Sequence, residues 1–430
     1  MNTIVRKKTI LTAMLGNIFE AYDITCFLFL LPFITQTFFP ADKIEENILK
    51  TLSVFFLGFI VRPIGGMVFG VMADLYGRKR VLILSVLIAS FSTACIVGVP
   101  GYAQWGSLAG FMLVCCRIGQ SFALGGEYVT SVAFIIEHVP KSERGYYGSW
   151  AAFGANLGVF MAALVCMVVS LAIEKRGYPV WIWRLPFLIS LLGIVVSFWI
   201  RKNVPEALEF VLENAVTTMR TMKSLLKEAN RFFVSDKPRM AIIMVLTCLG
   251  ASSYYIVFAS ISFHGSVQVS HVYRLFSTML SVGLLAGLAP FSGKLSDKIG
   301  RESMLLWCCF LFLVLSVPYF YLTSYCDLRW MLLMQSVMAF PAAGFYSIIL
   351  TYIAEMIPVQ VRCSVGGFFY SVFAGVFGGA APLVASLLVR VSHNPMAPGY
   401  YLMAIAFLCI LSLYLYGRKF EVEFIQEESQ

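Results

Sequence analysis

The residues best placed to do chemistry are five ionisable side chains set inside long apolar runs: Glu20, Asp23, Arg62, Arg117 and Glu127. Charge in hydrocarbon is expensive, so such residues face a cavity or one another and carry function. At ~1.5 Å per helical residue, Glu20 and Asp23 lie roughly 18–22 Å in from one membrane surface. Arg62 and Arg117 lie at comparable depth counted from the other surface, so two acids and two bases share one level of a ~30 Å core. Glu127 falls ten residues below Arg117, near the inner end of its run. Protonating an acid held by a guanidinium releases that guanidinium, which links proton binding to shape. The expected proton-coupling pair is Asp23 with Arg117, with Glu20 and Glu127 as the further acids. Arg62, Arg117 and Gln120 are the candidates for meeting a charged substrate. A permanent ion cluster that only fixes helix register is the structural alternative. The second half of the chain has few such charges. It offers Tyr254, Tyr255, Gln335, Tyr346 and Tyr370 as pocket residues, and ring faces suit quaternary ammonium groups. His264 and His271 lie near an outer loop and read as plain surface histidines. Nothing in the sequence forms a nucleophilic triad, a phosphate loop or a metal-ligand cluster. No enzyme activity, cofactor or metal is expected.

Two short motifs, each present twice, must position these charges. Gly70-Val-Met-Ala-Asp74-Leu-Tyr-Gly77-Arg78 and Gly293-Lys-Leu-Ser-Asp297-Lys-Ile-Gly300-Arg301 both read Gly-x-x-x-Asp-x-x-Gly-Arg. The first glycine lets a neighbouring backbone come close. The second can take the positive φ that ends a helix. Glu137-His-Val-Pro140-Lys-Ser-Glu-Arg144 and Glu355-Met-Ile-Pro358-Val-Gln-Val-Arg362 both read Glu-x-x-Pro-x-x-x-Arg. There the proline ends a helix and the acid and base can pair at the membrane surface. Two different elements recurring in the same order point to duplicated halves.

The elements themselves are membrane helices. Of the 430 residues, 59% are hydrophobic and 13% charged, and the mean hydropathy is +0.82. Soluble domains carry roughly 25% charged residues. The chain is therefore expected to be an all-α integral membrane protein embedded in a lipid bilayer. Apolar runs of spanning length fall near 10–38, 48–73, 81–100, 106–135, 145–172, 183–202, 239–263, 272–293, 302–323, 329–354, 363–391 and 399–417. These make twelve transmembrane helices in two pseudo-symmetric six-helix bundles, 1–202 and 239–417. A cytoplasmic linker, 203–238, joins them, and 418–430 form a cytoplasmic tail. About two thirds of the 32 Lys and Arg residues lie on the side that holds both termini, which the positive-inside rule makes cytoplasmic. The same bias explains the net charge of +9 without nucleic acid. The linker has apolar positions such as Phe210, Val211, Leu225 and Leu226 that would suit an amphipathic helix, though a plain connection is the simpler reading. Arg6-Lys7-Lys8 before an apolar run imitates a signal peptide. The run contains Glu20 and Asp23 and no small-residue cleavage site, so it reads as a retained first helix. The eleven cysteines sit mostly in apolar runs and read as small packing residues.

These turns resemble the signature of the major facilitator superfamily. Arg117-Ile-Gly-Gln120-Ser-Phe-Ala-Leu-Gly125-Gly126-Glu127-Tyr128 and Arg144-Gly-Tyr-Tyr-Gly-Ser-Trp150 resemble its metabolite:proton symporter family more closely. That family includes proline/betaine, 2-oxoglutarate, citrate and shikimate transporters. Gly16-Asn-Ile-Phe-Glu20-Ala-Tyr-Asp23, Arg62-Pro-Ile-Gly-Gly66, Trp183-Arg184-Leu-Pro-Phe187, Val204-Pro-Glu206 and Phe377-Gly-Gly-Ala-Ala-Pro-Leu383 extend the likeness over nearly the whole chain. The resemblance implies proton-coupled uptake of a small polar metabolite by alternating access in a cytoplasmic (inner) membrane, by a monomer. It implies that Gly70, Asp74, Gly77, Arg78, Glu137, Arg144, Gly293, Asp297, Gly300, Arg301, Glu355 and Arg362 form a conformational gate. Ala21 departs from the family's usual aromatic, Glu302 stands where a basic residue is common, and the short acidic tail is no coiled coil. A proton-driven exporter of amphiphilic compounds would want a larger, less charged pocket. A non-transporting receptor would want a soluble output domain.

Overall fold

The computed structural model describes residues 3–39, 44–191, 236–259, 271–325 and 328–417, with Val195, Glu206 and Lys227 singly between them. The central segment 203–238 except Glu206, Lys227 and its last three residues, the tail 418–430, the end of the sixth expected span and His264 lie outside the described residues. The described regular structure is helical throughout. In chain order it comprises α1 (Thr3–Phe29), α2 (Leu31–Phe38), α3 (Ile44–Tyr76), α4 (Arg78–Gly98), α5 (Tyr102–Trp105), α6 (Ser107–Leu124), α7 (Glu127–Ile136) and α8 (Arg144–Arg176). An apolar helix α9 (Val180–Leu191) follows. The second half contributes α10 (Lys237–Ser253), α11 (His271–Ile299), α12 (Arg301–Tyr325), α13 (Leu328–Met356), α14 (Arg362–Phe373), α15 (Ala381–Ser392) and α16 (Ala397–Ser412).

Ten described helices are long and apolar enough to cross a membrane, and the bent pair α1–α2 makes an eleventh span. α9 begins the sixth expected span, so the fold accords with twelve. Large apolar side chains such as Phe91, Phe111, Phe291, Trp307 and Val391 are exposed on the outside of the bundle, where lipid would cover them. Buried polar residues, Asp23, Arg117, Gln120 and Gln335 among them, point inward. That arrangement inverts the pattern of a soluble protein.

Several expected spans are less regular among the described residues than the hydropathy suggests. The first bends by 64° at Leu30. Pro32 stands in the first turn of α2, where its missing N–H and its ring oppose a continuous helix. The fourth breaks at Gly125-Gly126, between α6 and α7. The seventh widens into a π-helical turn, Tyr254–Ala259, beyond α10. The eleventh does the same at Ala374–Gly379, a stretch holding three glycines, before α15 restarts with a proline in its first turn. π-turns and broken helices at membrane depth occur where backbone lines a cavity.

Both signature turns have the expected geometry. Gly77 and Gly300 have φ of 104° and 91°, the left-handed side that a β-carbon resists. Gly70 and Gly293 are contact points: a β-carbon on Gly70 would meet the Cys363 carbonyl, and one on Gly293 the Gly145 carbonyl. These contacts seat α3 on α14 and α11 on α8, so each signature helix packs across the repeats as well as within its own.

A valine at Gly77 or Gly300 would hold a strained backbone costing about 1–3 kcal/mol. At Gly77 the new β-carbon also runs into the Glu206 carboxylate. Thermal unfolding of the detergent-solubilised protein should show a lower midpoint for both Gly77→Val and Gly300→Val, with the larger drop at Gly77. Wild-type midpoints in both would contradict the turn geometry.

Candidate functional site

A cavity lies midway along the bundle, walled by helices of both repeats. It offers about 150 Å³ to the centres of water-sized bodies. At about 10–15 Å³ per water on that measure, this is room for a small metabolite. α1 contributes Asn17, Glu20 and Ala21, α3 contributes Phe59 and Arg62, and α8 contributes Asn156. From the other repeat come Thr247 and Tyr254 at the end of α10, Tyr346 on α13 and Tyr370 on α14. Ala21 presents only a methyl group to that part of the wall.

One ion pair sits in this wall: Arg62 Nη2 lies 2.9 Å from Glu20 Oε1. The Arg62 guanidinium also lies 5.7 Å from the centre of the Phe59 ring. Opposite stands a set of edge-to-face rings. Tyr255 meets Phe59 at 5.5 Å and Tyr254 at 5.8 Å, and Tyr254 meets Tyr346 at 5.5 Å. The Tyr346 hydroxyl is anchored to Ser253 at 2.8 Å. At the floor, Tyr128 meets Tyr370 edge-on at 6.0 Å, and Ser371 donates to the Gly125 carbonyl at 2.6 Å, closing the cavity toward the signature turns.

Asp23 lies outside this cavity, in a second polar island. Its Oδ2 accepts from the Thr93 hydroxyl at 2.8 Å and from Gln120 Nε2 at 3.4 Å. Gln120 Nε2 also donates to Thr93 at 2.9 Å, and Arg117 Nη1 donates to Gln120 Oε1. Asp23 Oδ1 is buried without a hydrogen bond of ordinary length, with the Ser190 hydroxyl nearby. The Arg117 guanidinium lies 4.2 Å over the Phe27 ring. Asp23 and Arg117 thus belong to one network, but Gln120 stands between them in place of a direct pair. Glu20 and Asp23 are three residues apart, about 60° around α1, and this separation sends them to different islands. The acid that does pair directly is Glu20, with Arg62.

Four further expected residues lie elsewhere. Arg117 and Gln120 do not line the main cavity. Gln335 is tied into the second repeat, accepting from Ser277 and donating to the Val257 carbonyl at 3.1 Å. Glu127 is buried and accepts from Ser85 at 3.2 Å, below the cavity. The sequence reading passed over Asn17, Phe59, Tyr128, Asn156 and Thr247 as pocket residues. A lone amide in an apolar helix, such as Asn156, was the available signal.

The expected gate residues cluster at the end of the bundle that carries the signature turns. Asp74 accepts the backbone N–H groups of Cys363 at 3.3 Å and Ser364 at 2.7 Å, in the first turn of α14. Asp297 does the same for Gly145 at 2.8 Å and Tyr146 at 2.7 Å, in the first turn of α8. Each carboxylate therefore satisfies helix-start donors in the opposite repeat, where the helix dipole also favours an anion. Arg78 lies 3.3 Å from Asp74 and 3.1 Å from Glu137, and donates to the Val359 carbonyl at 2.9 Å. Arg362 joins Glu137 from the other repeat at 2.9 Å. Arg301 pairs with Asp297 at 2.7 Å and Glu355 at 3.2 Å. Arg144 donates back to the Ile136 carbonyl at 3.1 Å, as Arg362 does to Ala354 at 2.7 Å. The departing residue Glu302 accepts from the Tyr352 hydroxyl at 2.7 Å. Glu206 adds a cap of its own, accepting the N–H groups of Arg78 at 3.0 Å and Lys79 at 3.2 Å.

The chain belongs to the Major Facilitator Superfamily, whose family model matches residues 13–382. It is 31% identical to the alpha-ketoglutarate permease of Escherichia coli K12 over 95% of this chain and 94% of that one. It is 27% identical to the proline/betaine transporter of the same organism over 94% and 82%. Its fold matches that of a proton:xylose symporter with a TM-score of 0.79 at 15% identity, covering 97% and 96% of the two chains.

The Asp74 and Asp297 caps differ in burial, since the first cluster is fully enclosed and the second is partly open. Removing a carboxylate charge from a helix N-terminus costs about 0.3–1 kcal/mol, and up to ~2 kcal/mol in a buried geometry, which is roughly a 2- to 30-fold shift in an equilibrium between closed and open ends. Asp74→Asn should therefore slow transport by that order while leaving the yield and melting midpoint of the protein near wild type, and Asp297→Asn should do less. Parallel loss of folded protein and activity would contradict a gating role.

Proposed function

We propose that the chain is a secondary active transporter that takes up a small polar metabolite with protons by alternating access. The observation that carries this is the central cavity, lined by both repeats, holding an ion pair, and closed at the signature-turn end by reciprocal helix caps. A scaffold or receptor needs neither the charged cavity nor the paired caps. An exporter of amphiphilic compounds is disfavoured by the Glu20–Arg62 pair in the wall, which apolar cargo would leave unmatched. An alpha-ketoglutarate permease and a proline/betaine transporter among the relatives support a carboxylate or a zwitterion as the substrate.

In this reading the halves 1–202 and 239–417 rock about the cavity, with 203–238 as the connection. The signature-turn end faces the cytoplasm together with both termini, a reading supported by the Lys and Arg bias. The bilayer is the inner membrane and the working unit a monomer. The caps and pairs at Asp74, Arg78, Glu137 and Arg362, and at Asp297, Arg301, Glu355 and Arg144, hold that end shut while the other side loads.

Asp23 is the proton site. Ionised, it accepts from Thr93 and Gln120 and so holds the Gln120 amide in the orientation that accepts from Arg117. Protonated, its carboxyl becomes a donor, the Gln120 amide loses an acceptor, and Arg117 loses its ordered partner. The proton thereby changes how α1, α4 and α6 are tied together without entering the substrate cavity. Glu20, paired with Arg62, is the substrate-side acid.

Proteoliposomes separate the two roles. Asp23→Asn should reduce pH-driven accumulation of labelled substrate to the level of protein-free vesicles while retaining counterflow exchange, which needs no proton cycle. If Asp23→Asn still concentrates substrate under a pH gradient, the Asp23 island is structural, and Glu20 or Glu127 carries the proton.

A further inference from the structure

Resting on the transporter reading above, we propose that the cavity takes a small zwitterion of zero net charge, a carboxylate joined by a short chain to an alkylated ammonium group. Three independent features of the wall select it.

The first is charge. Among the described residues lining the cavity, Glu20 and Arg62 are the one carboxylate and the one guanidinium, and they are paired with each other. The empty wall is neutral. A zwitterion leaves it neutral, exchanging one ion pair for two: its carboxylate to Arg62, its ammonium to Glu20. A dicarboxylate would bring two negative charges to a single guanidinium that already has a partner. Uncompensated charge in a desolvated site is strongly disfavoured.

The second is a set of unmatched polar atoms. Arg62 Nε, Asn156 Oδ1 and Thr247 Oγ1 are buried without a hydrogen-bond partner, and all three residues line this cavity. Buried polar groups in native proteins are paired in about nine cases of ten or more, so three around one space mark where a ligand supplies the partners. Their chemistry is mixed. Arg62 Nε is a donor suited to a carboxylate oxygen. Asn156 Oδ1 is an acceptor suited to the positive end, its Nδ2 being committed to the Ala152 carbonyl at 2.8 Å. Thr247 reaches in from the opposite repeat and can serve either.

The third is the ring set. Tyr254, Tyr255, Tyr346 and Phe59 meet edge-to-face, an arrangement that turns π-faces in several directions around one space. Ring faces attract a diffuse, weakly hydrated cation. An alkylated ammonium is such a cation, whereas a carboxylate would be repelled by them.

The test uses the full-length protein, purified and reconstituted, with glycine betaine, proline, 2-oxoglutarate and 3,3-dimethylbutanoate as probes. The last is the carbon isostere of glycine betaine, equal in shape and lacking the positive charge. Glycine betaine or proline should accumulate under a pH gradient and faster with an inside-negative potential, because a proton moving with a neutral zwitterion carries net positive charge. Either should bind at least about tenfold tighter than 3,3-dimethylbutanoate, the scale of a desolvated cation–ring contact. Tyr254→Leu should narrow that gap while keeping the wild-type melting midpoint. Transport of 2-oxoglutarate with no competition from either zwitterion would overturn the proposal and leave the transporter reading standing. Movement of none of the probes by a protein that melts cooperatively would count against both.

Discussion

The structure depends on a backbone constraint at two helix starts. α14 and α8 begin at the signature-turn end with N–H groups that no helical partner can satisfy. In each case an aspartate from the opposite repeat supplies the missing acceptors: Asp74 for Cys363 and Ser364, Asp297 for Gly145 and Tyr146. The bonds are charge-assisted and sit at the positive end of a helix dipole, which makes them stronger than neutral ones. They also join surfaces that must separate if the cavity is to open toward that end. The interaction that closes the bundle is therefore the one an opening transition has to break.

The surrounding charges follow from that choice. A buried aspartate needs a partner, and Arg78 supplies it. Arg78 in turn needs Glu137, which also receives Arg362 from the other repeat. This chain of pairs balances itself locally, so the closed end carries little uncompensated charge. Farther into the membrane the same economy yields two separate islands. Glu20–Arg62 faces the cavity, and Asp23–Thr93–Gln120–Arg117 is packed among α1, α4 and α6. In the proposed cycle this separation lets one acid answer to substrate and the other to protons.

Much of the fold was legible because its signals are local. Apolar runs gave the helices, and the Gly-x-x-x-Asp-x-x-Gly-Arg spacing gave turns whose glycines have the positive φ that the motif implies. Pro32 was visible, yet its bend was not assigned, since hydropathy alone runs straight through it. The site was legible in its residue types and less so in its pairing. Helix rotation advances about 100° per residue, so depth along a helix places an acid at the right level without saying which neighbour it faces. Hence Glu20 pairs with Arg62, and the hydrogen bonds from Asp23 to Arg117 run through Gln120. Gln335 looked like a pocket amide but is occupied by Ser277 and Val257, long-range partners that no local pattern encodes. Asn17, Asn156 and Thr247 escaped notice for the opposite reason. A single uncharged polar side chain in an apolar helix carries a weak signal until the cavity around it is seen.

The central claim is that the cross-repeat caps are a latch that opens during the cycle. Distances between spin labels at Tyr76 and Pro358, two exposed positions flanking the Asp74–α14 contact, measure this directly in a cysteine-free protein. The account predicts a short distance at alkaline pH without substrate, and a second, longer population when substrate and acidic pH are supplied together. A single short distance under every condition would contradict it.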